Sequence, residues 1–494
     1  MVAAVASFII YASAVVALQQ YRENFFYVER VGLAAAVSNV VYQAPFGKVY
    51  PAVEAQLLDL RAPAGSVLEK VKQLGSPSGD PVMAINDGDG VGFVVAASWA
   101  MRLFGPQLFS LPFFMLGLIA VSAAMFLWRF RDDRSAVVTG TFFSLTLMLC
   151  TPLVGDPDVA SQIPIGGLRY FSLLAILPAF HLGLELTDGQ GQPSGVRGLN
   201  VSLLALQVVL LVLAIFVRES AVSLAGPILL IGLVKIWRNR RNRNELQSLR
   251  RKAWVVALVG TIFVALLLRA LPSPYLRDGR LTTVFWDRPV ISLGLNPAWP
   301  FDNLREIYDC TRDIPEGLVA GVVDRNSHCI WWHWVRADNI PAEVAISELY
   351  GSRFDAVLRA AFFNIARLYP REVLATLFYY KPKWILQSME YLTLNPTVHF
   401  SILNVLVIAG FVNFLGFLVI LAGVSTRSMT LHLTGLGALF AISTIPSYLI
   451  AWAWPHTTAD LLFFCLFCVG LGLSAVIQQM RATVRRASAA GAND

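Results

Sequence analysis

The strongest constraint on the fold is a series of apolar runs, many of them near the roughly 20 residues that a helix needs to cross a bilayer. Only 14% of the 494 residues are charged and 56% are hydrophobic, whereas a soluble domain carries roughly 25% charged residues. Segments of about 10 alternating residues, the mark of an outer-membrane barrel, do not occur. The sequence therefore predicts an all-α polytopic membrane protein.

About ten spans are predicted, with the N-terminus in the cytoplasm, because cytoplasmic loops carry an excess of Lys and Arg. With this count, the basic groups at 129–134, 235–252, 427 and the C-terminal tail all fall on one side. The boundary between the fifth and sixth predicted spans, at the polar trio 218–220, is the weakest. A single broken hairpin there would leave the predicted side of every other loop unchanged. The spans are 3–18, 108–128, 136–150, 168–186, 201–217, 221–236, 255–271, 401–422, 433–451 and 461–477.

The chain divides into three parts. Residues 1–271 form a transmembrane module with outer loops at 19–107 and 151–167, 272–397 form a periplasmic region, and 398–494 contain the last helices and a basic cytoplasmic tail. The first segment, 3–18, lacks a basic n-region and a convincing cleavage site, so it predicts an anchor rather than a removed signal peptide. The net charge of +7 does not indicate nucleic-acid binding, because the basic residues cluster at span ends.

Interfacial helices are expected in both long polar regions. Residues 19–90 read as a polar stretch, and Gly92–Phe104 is apolar but too short to cross, which predicts a half-helix or an interfacial helix. The amphipathic stretch 372–392 predicts an interfacial helix whose lysines, including Lys381, meet lipid headgroups.

Two predicted outer loops each contain an Asp-x-Asp pair beside the membrane. Asp87 and Asp89 directly precede Gly92–Phe104, and Asp156 and Asp158 lie between two spans. Such pairs can bind a divalent metal, accept a proton or approach a sugar. Taken alone, Asp87 and Asp89 are better explained by a turn with Asp89 as a helix N-cap, whereas solvation and N-capping explain Asp156 and Asp158 equally well. Two pairs in matching positions, among only 32 acidic residues, shift the balance toward function.

Four cationic side chains are candidates for binding a lipid phosphate: Arg169, Arg218, His456 and Lys381. Arg169 and Arg218 lie at or inside the ends of predicted spans, where a charge is costly and usually faces a cavity or a partner. Arg binds phosphate through paired hydrogen bonds. Snorkelling to the interface explains Arg169 equally well. His456 beside two Trp could stack on a sugar or bind phosphate, although an interfacial aromatic belt also explains those Trp.

Two cysteines, Cys310 and Cys329, both lie in the predicted periplasmic region. An oxidising compartment favours a disulfide between them. Two free thiols are the alternative, because pairing cannot be deduced from sequence alone.

The layout and these motifs resemble the type-C glycosyltransferases, polytopic enzymes that use sugars linked to a lipid phosphate. The stretch Asn-Asp-Gly-Asp-Gly-Val-Gly at 86–92, followed by Leu-Phe-Gly-Pro and a span, is similar to their passage from the first loop into the second span. Gly-Asp-Pro-Asp at 155–158 is similar to the Asp-x-Asp of the second loop in oligosaccharyltransferases. The resemblance covers residues 1–240. The first acid lies later in its loop than is usual, and no WWD-type acceptor motif follows span seven, which leaves the acceptor open.

The resemblance implies a glycosyltransferase of the bacterial inner membrane with a periplasmic active site, acting in cell-envelope polysaccharide biosynthesis. It would move a sugar from a polyprenyl-phosphate donor to a glycan or lipid acceptor. Asp87 or Asp89 would act as general base or orient the acceptor hydroxyl, and Arg218 would stabilise the departing phosphate. Asp156 and Asp158 would bind the sugar or a divalent ion, with Mg²⁺ or Mn²⁺ suited to hard oxygen ligands.

Two other classes stay open: a transporter or flippase for a lipid-linked saccharide, and a non-enzymatic partner in polysaccharide assembly. A transporter needs charges through the bilayer centre. The candidate charges lie mainly at the outer ends of predicted spans, which favours the enzyme.

The orientation generates a direct test. Reporter fusions after Arg134 and Arg243 are expected to report cytoplasm, and fusions after Gly75 and Asp324 to report periplasm, because Lys and Arg are retained inside. A periplasmic signal after Arg243 would contradict the ten-span topology.

Overall fold

The structure is a computed structural model. It describes residues 27–57, 69, 71–75, 77–83, 92–107, 110–130, 168–187, 197–238, 240–270, 286–296, 325–341, 344–345, 352–384, 435–437, 439–440 and 443. This part of the chain is mostly helical and has two large hydrophobic clusters, one in a bundle built from residues 27–270 together with 436 and 440, and one in a second unit at 286–384.

The bundle contains eight described helices, two of them preceded by a 3₁₀ segment, and one two-stranded antiparallel sheet in which Lys48 pairs with Met83. In chain order the elements are α1 Tyr27–Tyr42, β1 Lys48–Val49, α2 Pro51–Leu57, β2 Val82–Met83, α3 Gly92–Phe104, α4 Ser110–Arg129, the 3₁₀ segment Leu168–Ala175 leading into α5 Ile176–Thr187, α6 Arg197–Val217, the 3₁₀ segment Glu219–Leu224 leading into α7 Ala225–Arg238, and α8 Arg243–Ala270.

Four described helices are long and apolar enough to cross a membrane: Ser110–Arg129, Asn200–Val217, Ala221–Arg238 and Leu246–Arg269. They correspond to the predicted spans 108–128, 201–217, 221–236 and 255–271. Phe171–Leu186, within the predicted span 168–186, is a shorter apolar helix. The class of all-α membrane protein is thereby supported, whereas spans 3–18, 136–150, 401–422 and 461–477, and most of 433–451, lie outside the described residues.

Helix α8 is longer than the predicted span 255–271. It is one helix of 28 residues that begins at Arg243, so the basic segment before the span is helical too. Arg, Lys, Glu, Gln and Leu all have high helix propensity, and the segment before the span contains neither Pro nor Gly. Hydrophobicity alone identifies only the apolar part of this helix.

The prediction of a polar stretch over 19–90 is wrong for α1. Its residues 32–39 are buried and pack against α3, where a Cβ added to Gly32 would lie 2.7 Å from Cδ1 of Phe93. Arg102 of α3 donates a hydrogen bond to Oδ1 of Asn39 at 2.9 Å, which joins the two helices again near their other ends. Because α3 is buried over most of its length, it does not have the exposed face of an interfacial helix.

One end of the bundle is held by a close backbone contact. A Cβ added to Gly92, the first residue of α3, would overlap the carbonyl oxygen of Phe216 and lie 2.8 Å from Cα of Val217. Beside this contact, the rings of Phe93 and Phe171 meet edge to face with centroids 6.5 Å apart. The start of α3, the start of the 3₁₀ segment Leu168–Ala175 and the end of α6 therefore meet at this end.

An ion-pair cluster joins three helices at the opposite end of α5. Glu185, near the end of α5, pairs with Arg129 at the end of α4 and with Lys252 of α8, whose Nζ lies 2.6 Å from Oε2. Lys252 also donates to the backbone carbonyl of Glu185 at 2.8 Å. Both carboxylate oxygens have a cationic partner, which offsets the cost of burying the charge.

The second unit has its own aromatic core. Its helices are α9 Asp287–Leu293, α10 Arg325–Ala337, α11 Ser352–Leu368 and α12 Pro370–Ala375, and α12 continues as a π-helical turn, Thr376–Tyr380. Trp331 packs edge to face on Phe354, with ring centroids 5.3 Å apart, and both side chains are fully buried. The backbone N–H of Trp286 donates to Oδ1 of Asp355 at 2.8 Å and ties the start of α9 to α11.

Glycine at position 92 is expected to be required for this packing. Gly92→Ala places a methyl group on backbone atoms that cannot rotate away, so we expect a loss of about 1–3 kcal/mol. Gly117→Ala on α4 is the matched control, since nothing lies within 4 Å of its added Cβ. The measurement is thermal unfolding of the purified full chain in detergent, and equal midpoints for the two variants would contradict the close contact.

Candidate functional site

Arg218 lies at the break between two candidate membrane spans. Helix α6 ends at Val217, and Arg218 adopts an extended conformation with φ −135° and ψ 102° before the 3₁₀ segment Glu219–Leu224 begins. Its N–H donates to the carbonyl of Ala214 at 2.8 Å, and its carbonyl accepts from the N–H of Ala221 at 3.0 Å. The backbone is therefore fixed on both sides of a half-buried guanidinium side chain.

The two segments that follow the acidic loops both begin close to this break. Gly92 contacts Phe216 and Val217, the residues directly before Arg218. The 3₁₀ segment Leu168–Ala175 contacts the 3₁₀ segment Glu219–Leu224, directly after Arg218. The structure thus places the helical starts that follow the two acidic pairs close to each other and close to the residues on either side of Arg218.

Several predicted site residues lie outside the described part of the chain. These are Asp87, Asp89, Asp156, Asp158, His456 and Cys310; for Arg169 the backbone lies in the 3₁₀ segment Leu168–Ala175 and the side chain is not described. Whether the four carboxylates share one cavity with Arg218 stays a prediction.

Lys381 is fully buried, with 0% of its surface exposed, so the expected contact of this lysine with lipid headgroups is wrong. Lys383, two residues later, is exposed instead. The π-helical turn Thr376–Tyr380 ends at Lys381, whose N–H donates to the carbonyl of Thr376 five residues earlier. Pro382 has no N–H, and its ring would clash with the carbonyl four residues before it in a regular α-helix, so a wider turn here relieves that clash.

Burial, and to a smaller extent the positive charge of Arg288 on α9, together lower the pKa of Lys381 from its usual 10.5 to about 7. Among the described residues, none accepts a hydrogen bond from its Nζ. An amine in this state is largely uncharged just above neutral pH. Phosphate binding by Lys381 therefore requires that the amine be protonated as the anion arrives.

The sequence analysis missed a buried polar group inside the bundle. Gln207 of α6 donates to the carbonyl of Ser122 at 3.0 Å, accepts from the Ser122 hydroxyl at 2.9 Å, and lies 3.4 Å from Nδ1 of His181. His181 is one helical turn before Glu185 of the ion-pair cluster. A Glu and a His within an apolar segment are costly in a membrane, so their presence was the sequence signal that could have revealed this buried polar group.

The described residues include no group of three or more His, Cys, Asp or Glu side chains that could hold a metal ion. The predicted ligands Asp156 and Asp158 are not among these residues, so the expectation of Mg²⁺ or Mn²⁺ stays untested. Cys329 in α10 is disulfide-bonded. Its partner lies outside the described part of the chain, and the pairing with Cys310 stays a prediction.

Comparison of the chain with protein-family models, with curated proteins and with solved structures finds no match in any of the three.

The state of Lys381 predicts a pH dependence of stability. The unfolded lysine is protonated below about pH 10.4, whereas the folded one is neutral above about pH 7, so its contribution makes the free energy of unfolding rise with pH between these values. Lys381→Met removes the cost of burying the amine while keeping a similar shape.

We therefore expect Lys381→Met to raise the unfolding midpoint of the full chain at pH 7, and the difference from the wild type to shrink toward pH 10. Lys383→Met is the control, since this lysine is exposed and its substitution should not change the pH profile. A lower midpoint for Lys381→Met across the whole pH range would show that the buried amine has a stabilising partner.

Proposed function

We propose that the protein is a glycosyltransferase of the type-C kind, located in the bacterial inner membrane with its active site on the periplasmic side. It moves a sugar from a polyprenyl-phosphate donor to a glycan or lipid acceptor of the cell envelope. The acceptor hydroxyl attacks the anomeric carbon, the bond from that carbon to the phosphate oxygen breaks, and polyprenyl phosphate leaves.

The observation that carries the proposal is the meeting of three chain segments at Arg218. Asp89 precedes Gly92 by three residues, and consecutive Cα atoms are about 3.8 Å apart, so the chain cannot separate them by more than about 11 Å. Gly92 in turn touches the backbone next to Arg218. This connectivity supports a site where a carboxylate from the first loop and a guanidinium from the break act on the same donor.

The second acidic loop is tied to the same place through the 3₁₀ segment Leu168–Ala175. Loop 151–167 ends where this segment begins, and the segment contacts both α6 and Glu219–Leu224. Asp158 precedes Leu168 by ten residues, so the chain allows up to about 38 Å between them, and this connectivity is compatible with a donor site built from both loops.

Each residue would have a distinct role in the transfer. Asp87 or Asp89 takes the proton of the acceptor hydroxyl, or orients that hydroxyl, as the new bond forms. Arg218 stabilises the negative charge that develops on the departing phosphate, and its fixed backbone means that little reorganisation is needed. Asp156 and Asp158 bind the sugar, or supply the hard oxygen ligands that suit Mg²⁺ or Mn²⁺. Arg169, His456 and Lys381 remain further candidates for phosphate binding.

A transporter for a lipid-linked saccharide is the second candidate, and one observation favours it. Ser122, His181 and Gln207 are polar and buried in the interior of the bundle, between α4, α5 and α6. Buried polar residues at membrane depth often line a substrate path. If this path is used, Gln207→Leu should abolish movement of the lipid between leaflets, whereas sugar transfer should be little affected.

The proposed activity is tested by release of polyprenyl phosphate, the product common to every sugar and acceptor. The full chain in nanodiscs is given polyprenyl-phosphate monosaccharides together with a cell-envelope glycan extract. We expect the double variant Asp87→Asn and Asp89→Asn, and separately Arg218→Gln, to reduce release by about 10² to 10⁴.

Asp80→Asn is the matched control, because Asp80 is an exposed carboxylate in the same loop and should retain full activity. Folding of each variant is checked by its unfolding midpoint. Full activity in both the Asp double variant and Arg218→Gln would remove the chemical basis of the proposal.

A further inference from the structure

The turn between α7 and α8 concentrates positive charge at one end of two neighbouring helices. Between residues 235 and 252 the chain has eight basic residues and one acid, Glu245. Lys252 is used by the ion pair with Glu185. Six arginines are exposed, and we refer to them together as the arginine hairpin: Arg238, Arg240, Arg241, Arg243, Arg250 and Arg251.

Two exposed tryptophans border the arginine hairpin on its apolar side. Trp237 directly precedes Arg238 and is 68% exposed, and Trp254 follows Arg251 by three residues and is 74% exposed. The guanidinium of Arg240 lies over the ring of Trp237 at 5.6 Å. Trp side chains prefer the level of lipid headgroups, so this pair marks that level on both helices.

Beyond the tryptophans, both helices expose apolar stripes. On α7 the stripe is Leu229, Leu230, Leu233 and Val234, and on α8 it is Leu258, Ile262 and Leu266 at four-residue spacing. Only 6% of the apolar window of α8 is buried, compared with 61% of that of α4. The two helices contact each other, so their exposed stripes and the arginine hairpin belong to adjacent surfaces.

We propose that the arginine hairpin and the adjoining stripes bind anionic phospholipids. The arginines hold the headgroup phosphate, the tryptophans lie at the headgroup level, and the acyl chains lie along the exposed faces of α7 and α8. Guanidinium groups form paired hydrogen bonds with phosphate, which favours arginine over lysine for this role. A zwitterionic headgroup offers the same phosphate with a compensating ammonium, so the net charge selects the anionic lipid.

This proposal does not depend on the transferase activity. The site it describes uses only residues 229–266, none of which has a role in sugar transfer. Its consequence is that α8, whose apolar window is largely exposed, is held in place by bound lipid as well as by its packing on α6 and by the Lys252–Glu185 ion pair.

The test measures retained lipid and unfolding midpoint of the full chain in phosphatidylcholine nanodiscs with and without phosphatidylglycerol. The wild type is expected to retain phosphatidylglycerol through delipidation and to unfold at a higher temperature when it is present. The triple variant Arg240→Gln, Arg241→Gln and Arg243→Gln should retain at least about tenfold less, because each basic residue near an anionic surface contributes a factor of about five. The matched control, Arg359→Gln, Arg367→Gln and Arg371→Gln, removes three exposed arginines of the second unit and should behave as the wild type.

Three outcomes would overturn the proposal. Equal loss of phosphatidylglycerol and phosphatidylcholine from the wild type during delipidation would show that no anionic lipid is held, and this measurement stands even if the triple variant does not fold. Equal retention by the triple variant and the control would place the site elsewhere. Equal stabilisation by inorganic phosphate alone would show a general anion effect rather than a lipid site.

Discussion

The arrangement of the bundle depends on the absence of a side chain at position 92. The backbone of α3 approaches the backbone of Phe216 and Val217 so closely that a single methyl group would not fit. This approach brings the start of α3 to the end of α6, and the Phe93–Phe171 contact adds the start of the segment that leads into α5. Because each of these ends adjoins a loop or a helix break, one tight contact determines which connecting segments become neighbours. The proposed transferase site follows from that neighbourhood rather than from any single helix.

The molecule buries charge in two contrasting ways. Glu185 is buried among cations from two other helices, and each of its carboxylate oxygens has a partner, so its charge contributes to the joining of α4, α5 and α8. Lys381 is buried beside another cation, and burial favours its neutral form. An ion pair with satisfied partners can be kept in an interior, whereas a lone amine shifts its pKa instead. The first arrangement stabilises a defined packing of helices, and the second keeps a group whose charge responds to pH near neutrality.

Long apolar runs made the four candidate membrane spans predictable, because a helix in lipid must satisfy its own backbone and needs about 20 residues to cross. The same criterion missed α1, since its apolar part, Gly32–Tyr42, is too short to cross a membrane and is buried through close packing on α3. It could not pair Glu185 with Arg129 and Lys252, which are 56 and 67 residues away in the chain. For the candidate site, the sequence predicted Arg218 as a site residue and the order of the loops around it, and its role stays a prediction. It could not show that the start of α3 touches the residues before Arg218, because that contact depends on two distant backbones.

The π-helical turn before Lys381 changes the direction in which the side chains after it point. In a regular α-helix each residue advances by about 100° around the axis, so the facing of a side chain follows from counting. A turn that holds one residue more than an α-helical turn changes that count for everything after it. Residues 381–384 therefore present different faces from those that the amphipathic period of Glu372–Ala375 and its continuation would assign. An insertion or deletion of one residue within Thr376–Tyr380 would rotate the side chains of residues 381–384 by about 100° around the helix axis without altering any of them.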